Sequence, residues 1–492
     1  MSGEALRPLD AAFIHLESAA QPMHMGSIGY FDAAGLRDET GRPRLDDLRA
    51  QIESRLHLVP KLRQRVVASP LRQAPPTWVD DAGFDIANHV RLVRVPAPGS
   101  EDQLLAVCED LLATPLDLDR PLWEVWMVDG LADGRMAIVD KLHHAMADGL
   151  AGVELVTVIF DFAQPPEGPA RAWEPAPPPP GALAVARDLG RLAAVPLRGA
   201  LFALDCLGHP LRHLGRAARV ADALRSLTGP HLLAPRLSIN VPVTAGRRLA
   251  VVRLSLDDLR QVGHRFGVTV NDVLLAIVAR GVGTLLASRG EPVSGREVHL
   301  MVPVGFEHDT EHHVLGNRVS ALVVRAPLGP LDPVARLRAV ADDVGRDKVH
   351  HQQLAAQAAF GVLEPLPQRA LAGVTGMVGH QPLVNMVVTN VPGPPVALSA
   401  LGATMTEAVA FVPIAGNLSL GVAALSYLGQ LTLGVLADRS GCPDLDEFAK
   451  GLSLGAAELV EAARHAAAEA DDAARRAARS SGARTRGDAT AP

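Results

Sequence analysis

The sequence predicts a mixed α/β protein built from two halves that a long crossover joins. Strand-like and helix-like runs alternate up to about residue 163 and resume from about residue 236. A proline-dense stretch and a helical pattern lie between them, and a chain of 492 residues is long enough for two domains. We therefore expect a first half over residues 1–163, a linker and crossover over 164–235, a second half over 236–470 and a disordered tail over 471–492.

Apolar periodicity predicts the elements of the first half. Helix-spaced apolar residues indicate helices over residues 45–56 and 104–113. Two short apolar runs, 124–128 and 136–142, are typical of strands. A further apolar helix is expected over 150–160, so the segment that follows the second strand connects a strand to a helix.

The crossover begins with prolines and continues as an amphipathic helix. Residues 164–169 and 175–181 are proline-dense and have no period, which indicates an extended linker. Over residues 182–227 leucines fall on one face and arginines on the other, and we expect Pro196 and Pro210 to divide this helix. Such helices suit a membrane surface, where anionic head groups attract the basic face. Packing against the two halves is an equally open interpretation.

Composition excludes several classes of function. A net charge of −7 and an isoelectric point near 6.2 give no global basic field for nucleic acid. Three cysteines without paired spacing indicate a reducing compartment rather than a disulfide scaffold. The N-terminus has no signal-peptide core, and no stretch approaches the roughly 18 apolar residues of a spanning helix. We expect a cytoplasmic protein, free or peripherally bound at the inner face of the membrane or at lipid inclusions.

The segment after the second predicted strand carries the most informative residues. Two adjacent histidines, His143 and His144, are followed by Asp148 and Gly149. Histidine has an unperturbed pKa of about 6.5 and can move protons at neutral pH, and catalytic groups often follow strand ends. Asp148 can orient an imidazole, or it can only cap the next helix. A metal site is the other alternative, but neighbouring residues of an extended segment point to opposite faces, so we expect none.

The pattern His143-His144-x-x-x-Asp148-Gly149 is similar to the HHxxxDG signature of coenzyme A-dependent acyltransferases and condensation domains. Further motifs follow the order that they have in one branch of that superfamily. They are residues 6–13 with 21–26, Pro121-Leu122-Trp123, Asn271-Asp272, Gly316-Asn317-Arg318, residues 389–394, and residues 426–429 with Asp438. On these motifs, the sequence resembles the bacterial wax ester synthase/diacylglycerol acyltransferase family over about residues 6–459.

This resemblance implies a fold and a reaction. Each half is expected to have a chloramphenicol acetyltransferase-like fold, as in condensation domains, with the active-site channel between the halves. His144 is implied to be the general base, supported by His143, while Asp148 is implied to be architectural and paired with an arginine. Arg318 is a candidate for that arginine, although a surface position is the default for this residue. Acyl-CoA is implied to donate its acyl group directly to a diacylglycerol or a long-chain fatty alcohol. The resemblance implies no acyl-enzyme intermediate and no cofactor.

The other motifs supply residues that we expect to bind substrate or shape the site, namely Pro121, Leu122, Trp123, Asn271, Asp272 and Asn390. The proline–leucine–tryptophan motif precedes a strand and is equally suited to core packing. Asn271 and Asp272 start an apolar helix, where capping of backbone N–H groups is the favoured alternative. The composition of residues 390–394 predicts a rigid turn, which only the resemblance places in the cleft.

Two other functions stay open on the sequence. One is a different HHxxxDG acyltransferase or condensation-type enzyme, against which the additional motifs argue. The other is a catalytically inactive lipid-binding homologue, against which the intact His144 and Asp148 argue. One segment departs from the family, because residues 305–309 stand where relatives carry a serine and an arginine. This departure leaves open how the acceptor or CoA is bound near that wall of the site. The histidine-rich residues 308–313 that follow are typical of a solvated loop rather than of a metal site.

Overall fold

Two six-stranded sheets form the frame of this computed structural model, which describes residues 3–146, 159–161, 173–178, 180–209, 214–215, 218, 233–305, 319–345, 380–394 and 396–487. The strands are β1 (Glu4–Ala5), β2 (His24–Phe31), β3 (Gln64–Val67), β4 (Thr77–Asp80), β5 (Val90–Arg94), β6 (Trp123–Asp129), β7 (Met136–His143), β8 (Arg247–Ser255), β9 (Glu297–Gly305), β10 (Val319–Pro327), β11 (Met386–Pro392), β12 (Ser399–Ala400), β13 (Ala403–Phe411), β14 (Leu420–Tyr427) and β15 (Gln430–Asp438). The helices are α1 (Pro8–Leu16), α2 (Leu45–Arg55), α3 (Ile86–His89), α4 (Glu101–Ala113), α5 (Gly181–Gly208), α6 (Leu256–Phe266), α7 (Val270–Ser288), α8 (Pro333–Val344) and α9 (Leu445–Gly487).

The first large sheet has the strand order β12-β13-β2-β7-β6-β5. Its centre is the antiparallel pair β2 and β7, in which His24 lies opposite His143. Side chains alternate across β7, so that Ile138 faces one hydrophobic core and Val139 faces another. The helices expected over residues 45–56 and 104–113 and the strands expected over 124–128 and 136–142 are confirmed by α2, α4, β6 and β7.

The second large sheet has the order β10-β9-β11-β14-β15-β8 and carries the helices of the second half. β11 lies parallel to both β9 and β14, whereas the other pairs are antiparallel. The buried helix α7 packs between this sheet and α9 in the largest core. A separate small sheet, β1-β4-β3, lies in the first half.

A strand of the second half joins the first sheet, which the sequence analysis does not predict. β13 belongs to the second half of the chain, yet it pairs with β2 in the first sheet, with Val409 opposite Ile28 and Phe411 opposite Gly26. The register shifts between Met405 and Glu407, which marks a bulge. Pairing between residues so far apart leaves no local signal in the sequence, because strand patterns specify a buried face but not a partner.

The helix α7 has the length and composition of a membrane span but lies in the protein interior. Its most apolar window has a mean hydropathy of 1.6, and 72% of that window is buried by the rest of the protein. Thr269 caps its first turn together with Asp272. Among the described residues no other helix meets the same criteria of length and hydropathy.

The crossover helix is longer than expected. Pro196 was expected to divide it, but α5 continues through this position from Gly181 to Gly208. A proline inside a helix removes one backbone hydrogen bond and usually kinks or breaks the helix. The expectation of a break at Pro196 is nevertheless wrong, because α5 is continuous there. The helix does end just before Pro210, as a proline requires of the residues that precede it. Most of residues 210–232 lies outside the described residues.

The C-terminal helix also extends further than expected. α9 continues to Gly487, so the disorder predicted from residue 471 is contradicted over residues 471–487. Alanine has the highest helix propensity, and Arg476 donates to Asp472 at 2.8 Å one turn earlier. The low content of large apolar residues in this segment suggested disorder. The helix propensity of its alanines nevertheless extends α9 beyond the part that packs against the core. Of the helix expected over 150–160, only the last two residues are described.

Candidate active site

The two histidines lie where β7 ends, beside the segment that leads into β2. His143 is the last residue of β7, and His144 begins the following turn. The backbone N–H of His143 donates to the carbonyl of Leu122 at 3.0 Å, and that of His144 donates to the carbonyl of Met23 at 2.8 Å. The histidine pair is therefore held on one side by the segment that contains Leu122 and on the other by the segment that contains Met23.

His143 is fully buried, and its two ring nitrogens have different partners. The backbone N–H of Ala145 donates to Nδ1 at 3.0 Å, so Nδ1 carries no proton. Nε2 must then carry the proton, and it donates to Oε2 of Glu17 at 3.0 Å. Glu17 is itself buried and caps the end of α1. This arrangement fixes the tautomer and the orientation of His143 and uses both of its nitrogens.

His144 is different, because no side chain of the described residues forms a hydrogen bond with its Nδ1. The imidazole stacks on Phe13, with 4.0 Å between the ring centroids and 18° between the planes. Burial lowers the pKa of His144 to about 4; a hydrogen bond with its own backbone acts in the opposite direction, and the electrostatic effect of the neighbouring His143 lowers the pKa slightly further. Nδ1 is buried and has no hydrogen-bond partner of ordinary geometry among the described residues. His144 is consequently a neutral base at pH 7.

The proline–leucine–tryptophan motif supports this site from the interior. Trp123 is fully buried, donates from Nε1 to the carbonyl of Leu62 at 2.8 Å, and stacks on His89 at 4.6 Å. Leu122 is also fully buried, and its carbonyl is the acceptor for His143. Pro121 and Trp123 line a surface cavity of about 210 Å³ beside this motif. The motif thus combines core packing with a direct backbone contact to the histidine segment.

The asparagine–aspartate motif opens α7. Asp272 accepts hydrogen bonds from the backbone N–H and the hydroxyl of Thr269 at 2.8 and 2.7 Å, and Thr269 Oγ1 accepts from the Asp272 N–H. This is the helix-capping arrangement, with Thr269 as the N-cap residue. Asn271 is half-buried in the same first turn. Asp272 therefore helps to cap the first turn of α7, as the favoured alternative for this motif predicted.

Asn390 lies in a strand rather than in a turn. It pairs with Ala424 in β11, and the strand continues to Pro392 opposite Ser426, so the turn expected over 390–394 begins later than the composition indicates. Only a glycine fits at Gly393, because an added Cβ would lie 2.1 Å from the carbonyl oxygen of Ser426. The parallel pairing with β14 overrides the turn tendency of these residues.

Several expected site residues lie outside the described residues. They include Asp148, Gly149, Arg318 and the segment from residue 306 to residue 318. The architectural role of Asp148 and its pairing with an arginine therefore stay predictions. Within the described part of the chain no group of three or more His, Cys, Asp or Glu side chains is arranged to hold a metal ion.

The sequence analysis missed residues that hold the site together, notably Glu17, Phe13 and Met23. Glu17 and Met23 flank the conspicuous Gln21-Pro22 pair, and Phe13 ends the first family motif. Nothing in their spacing indicates that they meet residues more than one hundred positions later. Two of the cysteines, Cys108 and Cys442, are buried, and burial raises the pKa of both thiols, that of Cys108 to about 12. Neither thiol is suited to act as a nucleophile.

Comparisons with known proteins agree with this geometry. Residues 6–274 match the wax ester synthase/diacylglycerol acyltransferase catalytic domain, and residues 315–458 match the C-terminal domain of the same family. A probable diacylglycerol O-acyltransferase of Mycobacterium tuberculosis (strain H37Rv) is 31% identical over 463 residues, which cover 92% of this chain and 95% of the relative. A putative diacylglycerol O-acyltransferase of Mycobacterium bovis has the same identity and coverage.

Solved structures share the fold. A wax ester synthase/diacylglycerol acyltransferase from Marinobacter aquaeolei aligns with a TM-score of 0.61 and 25% identity, covering 93% of this chain and 99% of that chain. The starter condensation domain of rhizomide synthetase, at 15% identity, aligns with a TM-score of 0.52 over 93% of this chain and 96% of its own and shows the fold alone. The predicted two-half, condensation-domain-like α/β architecture is thereby confirmed. The chain belongs to the wax ester synthase/diacylglycerol acyltransferase family and is an acyltransferase.

Proposed function

We propose that this enzyme transfers a long-chain acyl group from acyl-CoA to the hydroxyl of a diacylglycerol or a long-chain fatty alcohol, with His144 as the general base. The observation that carries this proposal is the imidazole of His144, held at the end of β7 by a backbone hydrogen bond and stacked on Phe13. Burial in this position lowers its pKa to about 4. A base that is unprotonated at neutral pH can accept the hydroxyl proton while the oxygen attacks the thioester.

The proposed reaction is a direct transfer. The alcohol oxygen forms a bond to the thioester carbonyl carbon, and its proton moves to Nε2 of His144, because Nδ1 is enclosed by the protein. The tetrahedral intermediate then expels the CoA sulfur, which takes the proton from His144, so the products are an ester and free CoA. No acyl-enzyme is needed, and His143 serves to orient the segment through Glu17.

The acceptor class is the finer part of the proposal. The mycobacterial relatives carry the name diacylglycerol O-acyltransferase, and the Marinobacter protein carries both activities in its name. We infer that diacylglycerol and long-chain alcohols are both candidates for this chain. The alternatives are a condensation-type enzyme, which would need a carrier-bound substrate, and an inactive lipid-binding homologue.

A thiol-release assay distinguishes these functions. Palmitoyl-CoA is supplied with a diacylglycerol, with hexadecanol, or with an amine acceptor, and the free CoA is titrated with a thiol reagent. The proposed function requires CoA release and ester formation with at least one of the two alcohols. Release with the amine alone would support the condensation-type alternative, and tight palmitoyl-CoA binding without turnover on any acceptor would support the lipid-binding one.

The lowered pKa of His144 predicts an unusual acid limb. Protonation of the base removes activity, and because burial lowers the pKa of this group to about 4, the free enzyme keeps its base neutral well below pH 6. We expect kcat/KM to be nearly flat from pH 7 to pH 5.5 and to fall only as the pH approaches about 4. The measurement is the pH profile of kcat/KM, with circular dichroism at each pH to exclude unfolding. A half-maximal rate at about pH 6.5, the value for ordinary histidine, would contradict this assignment.

We also propose that the enzyme is cytoplasmic and that α5 brings it to anionic membrane or lipid-inclusion surfaces. One face of the helix is anchored, since the buried Asp188 accepts hydrogen bonds from Ser69 Oγ at 2.6 Å and from the N–H groups of Leu71 and Ala74 at 2.7 and 2.6 Å. The large apolar side chains of the first three turns are nevertheless between 36 and 51% exposed, at Leu183, Val185, Leu189 and Leu192. Exposed leucines beside basic residues are typical of interfacial helices.

Substitutions on α5 test this location. Leu189→Gln with Leu192→Gln is expected to weaken cosedimentation with phosphatidylglycerol vesicles, because it removes apolar surface that would enter the interface. Arg187→Gln with Arg191→Gln is expected to weaken it mainly at low salt, where electrostatic attraction is least screened. Leu454→Gln is the matched control, since Leu454 is 40% exposed on α9. Turnover of a short soluble alcohol should survive in all three variants. Unchanged vesicle binding by both α5 variants would show that α5 is interdomain packing.

A further inference from the structure

Both histidines depend on one short segment of the first half, residues 17–23. Glu17 at its start accepts from His143 Nε2 at 3.0 Å, and the carbonyl of Met23 at its end accepts from the His144 N–H at 2.8 Å. Between these two contacts the chain makes a tight reversal, in which Ser18 and Gln21 exchange backbone hydrogen bonds at 3.0 and 3.3 Å. A displacement of this segment would move both imidazoles.

The second half of the chain holds this segment at its tip. Arg247, the first residue of β8, donates from Nη2 to the carbonyl of Ala20 at 3.0 Å. The backbone N–H of Gly416 donates to Oε1 of Gln21 at 2.9 Å. The two contacts lie on neighbouring residues of the reversal, so the segment is held by the first half at its ends and by the second half in its middle.

Arg247 is itself held rigidly. Its side chain is 2% exposed, and Nη1 donates to the carbonyls of Thr244 and Gly246. Asp438, which is fully buried, lies 4.0 Å from Nη1 and accepts hydrogen bonds from the N–H groups of Thr244, Ser440 and Gly441. Burial lowers the pKa of Arg247, and the charge of Asp438 acts against this. The planar guanidinium reaches Ala20 and Thr244 at the same time, which a lysine ammonium on a flexible stem cannot reproduce.

We propose that Arg247 is a positioning residue for acyl transfer, which fixes residues 17–23 and through them the orientation of both histidines. The inference rests on the proposed role of His144 as the base. It makes the alignment of the base depend on the contact between the two halves. Since a misplacement of about 1 Å can lower the rate of an oriented reaction about 10²-fold, loss of this contact should appear mainly in kcat.

The test is Arg247→Lys in the full-length enzyme, assayed with palmitoyl-CoA and the better alcohol acceptor. We expect kcat to fall about 10–100-fold while KM changes little. Loosening of the segment should admit water to the ring of His144, so the acid limb of kcat/KM should move upward from about 4 toward the ordinary histidine value of about 6.5. A purely structural role for Arg247 would not move that limb.

Two matched variants control for other effects of the substitution. Arg336→Lys removes a guanidinium that is also buried in the second half, donates to the carbonyl of Gly329 at 2.9 Å, and does not contact residues 17–23. Arg253→Lys, on the same strand as Arg247, weakens another contact between the halves, with Glu101, together with a contact to Glu407. Both should keep kcat within about threefold of the parent enzyme and leave the acid limb in place.

A double variant tests whether Arg247 acts on the histidines through residues 17–23. If Arg247 acts through the segment, then Arg247→Lys and Glu17→Gln should together lower kcat by less than the product of their separate effects. Should Arg247→Lys fail to fold, Gln21→Ala removes the second contact at the tip and is expected to lower kcat and shift the acid limb in the same direction. The inference is overturned if a folded Arg247→Lys variant has the kcat and the acid limb of the parent enzyme. It is also overturned if the effects of Arg247→Lys and Glu17→Gln on kcat multiply in the double variant. The proposed function fails separately, if His144→Ala retains activity.

Discussion

Replacement of His144 by alanine is expected to lower kcat/KM by about 10²–10⁴-fold, which is the usual contribution of a general base. The ring is held by a backbone hydrogen bond and by stacking on Phe13, and neither contact is needed for the strands to pair. The fold should therefore persist, and CoA release with near-UV circular dichroism checks both statements. Turnover comparable to the parent enzyme would rule out His144 as the base.

His143→Gln is the matched control. Glutamine can donate to Glu17 as Nε2 of His143 does, and it retains a polar group in the same buried position. We expect a smaller loss of rate than for His144→Ala, together with a measurable loss of stability, because the acceptor for the Ala145 N–H is removed. If both variants lost equal activity while remaining equally stable, the division of roles between the histidines would be wrong.

Replacement of Trp123 by alanine is expected to lower the free energy of unfolding by about 3–5 kcal/mol, as large-to-small changes at buried aromatic positions do. Trp123 is fully buried, stacks on His89 and donates to the carbonyl of Leu62. Equilibrium denaturation measures this effect. Trp123→Phe should cost less, since it retains an aromatic ring while it loses the pyrrole part of the indole with its N–H.

Trp126→Ala controls for the loss of a tryptophan from β6. Trp126 is only half-buried and stacks against the guanidinium of Arg91, so its removal should destabilise the protein less. If Trp123→Ala had parental stability and low activity, Trp123 would instead contact a substrate. That outcome would favour the site-shaping interpretation of the motif over core packing.

The elements around the histidines were predictable because their signals are local. The apolar run that becomes β7 and the helix patterns that become α2 and α4 depend on periodicity within one segment. The position of the histidines at a strand end follows from the same run. The family resemblance added the two-half fold and the choice of His144, which periodicity alone does not supply.

The contacts that define the site were not predictable, because they join distant segments. Glu17 meets His143 across the sheet, and β13 leaves its own half to pair with β2. A strand pattern specifies which face is buried and not which strand lies beside it. The same limit explains why Asn390 was assigned to a turn, since its pairing with β14 is visible only in three dimensions.

The length of the crossover helix illustrates a different limit. Pro196 is a strong local signal for a break, yet α5 continues through it. The helix is attached to the first half before this point, where Asp188 accepts hydrogen bonds from Ser69 and from backbone N–H groups of the following loop. Such an anchor stabilises the helix through tertiary contacts, which override the tendency of single residues.

The central claim is direct transfer from the thioester to an alcohol with His144 as the base, and CoA release with and without acceptor tests it most directly. Wild-type enzyme, at a concentration close to that of palmitoyl-CoA, is followed by thiol titration and by intact-protein mass spectrometry. The account predicts that CoA release and ester formation begin only when the alcohol is added, and that the protein mass never increases by an acyl group. Stoichiometric CoA release before the alcohol is added, together with an acylated protein, would contradict it.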